Sequence, residues 1–234
     1  MKNKNFWVLT MPKYSMLVFV CFNIISMITY PGGSVNNKLP LNDINAQKGY
    51  SFFYNFFSDL GMTVSHSGDI NLLSCFLFNF SLIVIGICFF MLFYKVGDVF
   101  IGNKWLSKIG TFCGMLSGLC FIGVALTPSN IFLQWHIIFA EWIFRFLFIG
   151  SFIYSILIFK TRNFDNKYAF SFILFAFMVL VYIYISQFYL GDVRLHPEDL
   201  APHVISQKLI AFWILISIYL YSIGLSKYIN LKIK

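Results

Sequence analysis

Six stretches of the chain are each long and apolar enough to cross a bilayer, and they leave room for little else. They run approximately over 14–31, 72–94, 107–127, 132–159, 168–190 and 206–226. Each lies near the roughly 20 residues that a helix needs to span hydrocarbon. In hydrocarbon every backbone N–H and C=O must find a partner within the protein, so such stretches fold as helices. The reading is an all-α integral membrane bundle of six transmembrane helices, a single transmembrane domain over 1–234. Of the 234 residues, 59% are apolar and 11% charged, against about 45–50% and about 25% in a soluble domain. That excludes a water-soluble globule, and it excludes a disordered chain. Met1-Lys2-Asn3-Lys4 resembles the start of a signal peptide. No small-residue cleavage site follows the first apolar run, and Tyr30-Pro31-Gly32-Gly33 ends it. It is therefore read as an uncleaved span.

The formal net charge of +8 acquires meaning once the charges are placed. Lys2, Lys4 and Lys13 precede the first span. Lys95, Lys104 and Lys108 lie between spans two and three, and Lys160, Arg162 and Lys167 between four and five. Lys227, Lys232 and Lys234 close the chain. With six spans these twelve bases share one side, which the positive-inside rule makes cytoplasmic, with both termini inside. The basic excess is thus a topology signal. No soluble basic patch exists to bind nucleic acid.

The opposite side collects Lys38, Lys48, Arg194 and Lys208 against Asp43, Asp59, Asp69, Asp192, Glu198 and Asp199, with all four histidines. Its long connector, 32–71, contains a Phe-rich stretch from Gly49 to Gly61. At helical spacing Phe53, Phe56, Phe57 and Leu60 share one face, and Ser51, Asn55, Ser58 and Asp59 the other. A short amphipathic helix lying in the outer interface and ended by Gly61 satisfies that pattern. An irregular loop packed over the bundle satisfies it too.

Several residues could carry chemistry. Glu141 and Arg145 stand one turn apart inside span four, where a lone charge costs about 2.5–3.5 kcal/mol. They could face a polar cavity, bind a headgroup or relay protons. They could equally form a self-neutralising clamp between helices. His66, His136, His196 and His203 could converge with Asp59 at the outer mouth and hold a zinc ion that activates water. No HExxH or HxxxH supports that reading, and histidines that cap helix ends or touch headgroups are the plainer alternative. Ser58-Asp59 suggests a nucleophile, but no GxSxG elbow surrounds it. Asn71, Cys75 and Asn79 recur on one face of span two, where they would bond to neighbouring helices. Gly110, Gly114 and Gly118 form a GxxxGxxxG packing face. The five cysteines show no CxxC or zinc spacing.

Gly49-Tyr50-Ser51-Phe52, then Asn55-Phe56-Phe57-Ser58-Asp59-Leu60-Gly61, with Gly68, Asn71, Ser74 and Phe78-Asn79, resembles a signature of one prokaryotic multi-pass family. This is the domain of unknown function nine-nine-eight, distantly similar to the Frag/DRAM-type membrane proteins. Gly123, Pro128 and His136 resemble its later Gly…Pro…His element. The likeness is carried by spans one to four, and over the last two mainly by hydropathy. It implies a six-helix bundle in a prokaryotic plasma membrane and no activity. Fold alone does not transfer function.

Three functions fit these residues. The first is a binder or organiser of lipid, or of a membrane-protein partner, through an outer polar pocket. That pocket would be built from Ser58, Asp59, His66, His136, Glu141, Arg145 and the His196–His203 loop. The second is a metal-dependent hydrolase or transferase of lipid headgroups. The third is a small transporter gated by Glu141 and Arg145. Association with a second copy of the chain stays open.

Overall fold

The computed structural model of the chain describes residues 6–97 and 99–233. Lys2, Lys4 and Lys234, which enter the charge reading above, lie outside them. Among the described residues six helices are long and apolar enough to cross a membrane. They are α1 Met11–Thr29, entered through a π-helical turn at Phe6–Thr10, α2 Leu72–Val96, α3 Lys104–Leu126, α4 Leu133–Lys160, α5 Lys167–Phe188 and α6 Leu200–Ile233. No strand occurs among the described residues, only isolated bridges in the long connector.

Prolines set two of the boundaries. α1 stops at Thr29 because Tyr30 precedes Pro31 and takes an extended backbone (φ −66°, ψ 127°). α6 starts earlier than the apolar run near 206. Pro197–Asp199 forms a 3₁₀ turn, and Pro202 sits in the first turn of α6, where its missing N–H is not needed. His203 therefore lies on a helix rather than in a connector.

The chain runs up and down, and each helix packs on its sequence neighbour, with α6 returning to α1. Connectors 30–71, 127–132 and 189–199 gather at one end, the capped end. There Asn130 Nδ2 donates to Thr63 Oγ1 at 2.8 Å, and the Phe57 N–H donates to Gln207 Oε1 at 3.0 Å. The other two connectors meet at the basic end, where the Phe100 and Phe164 rings stack 6.0 Å apart.

Hydroxyls stitch successive helices together. Ser26 Oγ on α1 donates to the Ser74 carbonyl on α2 at 3.2 Å. Thr111 on α3 meets the Tyr154 hydroxyl on α4 at 3.1 Å. Ser217 Oγ and Trp213 Nε1 on α6 both donate to the Ser171 carbonyl on α5. Lipid offers these groups no competing water, so small polar residues serve well in such seams. The GxxxGxxxG face packs within the chain. A Cβ on Gly118 would lie 2.6 Å from the Gly86 carbonyl oxygen of α2, and one on Gly110 would lie 2.9 Å from Ile153 of α4. The basic half is filled by aromatics: Tyr154 and Tyr221 are fully buried, 5.4 Å apart, with Phe93 and Phe172 against them.

The amphipathic helix considered for 49–61 does not form. Only Phe57–Gly61 is helical, as a single 3₁₀ turn. Nor do its two faces separate: Asn55 and Asp59 of the polar face are 0% and 4% exposed, and of the apolar face Leu60 is 0% exposed while Phe53 is 55% exposed. Asn55 explains the outcome. Its Oδ1 accepts from the Ser51 N–H at 2.9 Å and from Gln47 Nε2 at 2.6 Å, so a side chain takes the place of a helical carbonyl.

Candidate functional site at the capped end

The cap is organised from within by Asn55 and Asp59. Asn55 Nδ2 donates to the Gly33 carbonyl at 2.8 Å and to Asp59 Oδ2 at 2.9 Å. The Phe56 N–H donates to the same carboxylate oxygen at 3.0 Å. Gly33 cannot be replaced cheaply: its φ is +78°, and a Cβ would lie 2.5 Å from the Ser67 nitrogen. Asn71 Nδ2 donates to the Leu60 and Met62 carbonyls, and Asn79 Nδ2 donates to the Gly61 carbonyl. These amides therefore hold the cap to α2, whereas the sequence pattern pointed to neighbouring helices.

Three titratable side chains, His66, Tyr30 and Tyr50, meet this network. His66 Nε2 lies 3.3 Å from Asp59 Oδ1, yet it is sealed from solvent and not aligned for a hydrogen bond. Tyr30 and Tyr50 flank the pair, with their rings 5.9 Å apart edge to face. Burial first, and then the Asp59 charge, push both phenols up, so both stay protonated. Tyr50 accordingly donates to the Asn55 and Phe56 carbonyls at 3.0 and 3.3 Å.

Lys208, which the sequence places among the outer-side charges without marking it as a site residue, completes the network. It sits on α6, is 4% exposed, and donates from Nζ to the Asn55 carbonyl at 2.5 Å. Its ammonium lies 5.3, 5.0 and 5.3 Å from the ring centres of Tyr50, Phe52 and Phe57. Cation–π attraction of this kind is worth up to about 2 kcal/mol per contact once desolvated. The signal was available. Lys208 falls inside the apolar run 206–226, and the rule that singles out Arg145 applies to it equally.

Below the cap lies a cavity of about 80 Å³, bounded by α1, α2, α3, α4 and α6. Its walls are apolar except for Ser58, His136 and Gln207. His136 Nδ1 is 2.7 Å from the Thr127 carbonyl. A carbonyl only accepts, so Nδ1 carries the proton and Nε2 is left as the acceptor of the neutral ring.

The structure thus divides the expected pocket. Ser58, Asp59, His66 and His136 belong to the capped end. Glu141 and Arg145 do not: they pair with each other at 2.7 Å, each about half exposed, on the outer face of α4, with Arg145 5.1 Å from the Trp142 ring. Neither residue lines the cavity under the cap. His196 is exposed beside Glu198 at 3.4 Å. His203 bonds to the Tyr182 hydroxyl at 3.1 Å. Among the described residues no group of three or more His, Cys, Asp or Glu is arranged to hold a metal ion. The zinc set of Asp59, His66, His136, His196 and His203 is therefore not assembled, and the donors present do not fit that ion.

A family model described as a protein of unknown function (DUF998) matches residues 43–225. The match leaves α1 outside and takes in α2 to α6. No curated protein and no solved structure matches the chain.

Proposed function

The chain belongs to the DUF998 family of proteins of unknown function, and we propose that it binds a lipid or lipid-like amphiphile at its capped end. The carrying observation is the cavity under the cap, apolar along its helices and polar only at Ser58, His136 and Gln207. Its volume is well below the roughly 300–1,000 Å³ of a site that encloses a whole small molecule. It suits the tip of an apolar chain, with the polar part held near His136 Nε2 and the cap. The basic connectors favour a cytoplasmic basic end and an outward-facing cap, so the ligand would come from the outer leaflet.

Ala140 and Ala211 face the cavity from α4 and α6. Lipids extracted from purified protein should include an amphiphile in near-stoichiometric amount, and Ala211→Phe should deplete it several-fold. A conservative Ala140→Leu variant should deplete it partly. An identical lipid complement in all three proteins, each folded by circular dichroism, would overturn the reading.

A further inference from the structure

We infer that the basic end carries a separate site for the phosphate headgroup of an anionic phospholipid, in the cleft between α2 and α3. This cleft has a volume of about 440 Å³ and is lined by Lys95 and Lys108 together with Tyr94, Gly97, Phe112 and Met115. It lies at the opposite end of the bundle from the cavity under the cap and does not depend on it.

The chemistry is graded along the cleft. Lys95 stands in the last turn of α2, and Lys108 stands one turn into α3. Both therefore lie at the level where a helix leaves hydrocarbon. Lys95 Nζ is 5.0 Å from the Tyr94 ring centre and Lys108 Nζ is 5.3 Å from that of Trp105. Tyr94 and Trp105 are 56% and 80% exposed, the placement of aromatics in a headgroup belt. One and two turns deeper on α3 the lining becomes Phe112 and Met115, surfaces for an acyl chain. Gly97 keeps the mouth open: a Cβ there would already lie 3.0 Å from Thr111 Oγ1.

Charge selects the ligand class. The four ion pairs among the described residues use neither Lys95 nor Lys108. Two ammonium groups at one mouth attract phosphate, and no described carboxylate lines the cleft to receive the ammonium of a zwitterionic headgroup. Basic pockets between helices on this side of a membrane protein bind anionic headgroups for the same reason.

The test is native mass spectrometry of the full chain, delipidated in detergent and titrated in turn with phosphatidylglycerol, phosphatidylcholine and inorganic phosphate. The expected result is a saturable phosphatidylglycerol adduct, weakened roughly fivefold by Lys95→Gln or Lys108→Gln and correspondingly more by both. The control pair Lys160→Gln and Lys227→Gln, at the same end but outside the cleft, should leave it unchanged. Equal loss in the control would reduce the effect to diffuse surface charge and overturn the site. Equal binding of phosphatidylcholine, or inorganic phosphate binding as tightly as the lipid, would overturn the ligand class.

Discussion

Lys208 Nζ on α6 donates a hydrogen bond to the carbonyl oxygen of Asn55 in the cap, joining residues 153 positions apart. That bond, with the three rings around the ammonium, ties the connector 30–71 to the last helix. The Asn55 carbonyl also receives the Tyr50 hydroxyl, so it is not orphaned if the lysine is lost.

Replacing Lys208 separates charge from packing. Lys208→Met loses the ring contacts and the hydrogen bond but also removes the cost of holding an ammonium out of water, and it keeps the volume among the rings, so it should change stability by less than about 1.5 kcal/mol. Lys208→Ala should cost about 2–4 kcal/mol through the space it leaves. Unfolding followed by tryptophan fluorescence in detergent measures both. Equal losses would assign the effect to the ammonium instead.

Asn55→Ala should loosen the cap and spare the bundle. Removing an amide that serves four cap partners takes away the acceptor of the Ser51 N–H, at about 1–3 kcal/mol for a buried group left unpaired, while Asp59 Oδ2 keeps the Phe56 N–H and the Gly33 carbonyl keeps Gln47 Nε2. Hydrogen exchange should rise across 31–71, while the amides of α2 to α4 keep their protection.

The phenols provide a pH test. Tyr30 and Tyr50 have folded pKa values raised above the unfolded value of about 10. Their contribution to stability is therefore complete below about pH 10 and falls away as pH rises beyond it toward the folded values. In phenolate absorbance, Tyr50→Phe should not reduce the step between about pH 9 and 11, because Tyr50 does not ionise there while the protein is folded. A smaller step in the variant would show an accessible phenol.

The Glu141–Arg145 pair should behave as a unit. Glu141→Ala leaves Arg145 unpaired in the middle of a span, a position where a charge costs about 2.5–3.5 kcal/mol. The Glu141→Ala/Arg145→Leu double variant should recover most of the lost stability and membrane yield. A double variant no better than the single would indicate that the contact of Arg145 with the Trp142 ring stabilises it without Glu141.

Much of the fold is legible before any coordinates. The apolar runs announce six helices, because lipid forces each stretch to satisfy its own backbone. Gly110, Gly114 and Gly118 announce a close seam, because only small residues let two helix backbones approach. The candidate site is less legible. Periodicity turned Asn55 and Asp59 toward solvent because it assumed a helix over 49–61. Their side chains instead replace the helical hydrogen bonds and draw that face inward. The four histidines share one side of the sequence map, yet His66 joins the cap, His136 a cavity wall, His203 a helix flank and His196 the surface.

The sequence by itself determined the number of helices, their apolar character and the gathering of most basic residues at one end of the bundle. These follow from local rules: each residue answers to hydrocarbon or to water independently of distant partners. The tertiary structure alone decided which polar groups are buried, which meet, and which stay apart. The Lys208–Asn55 bond, the Asp59–His66 contact and the outward-facing Glu141–Arg145 pair all depend on how helices and loops come together across the chain. Such contacts leave no period in a sequence, because the partner that satisfies a buried polar group can come from any other segment.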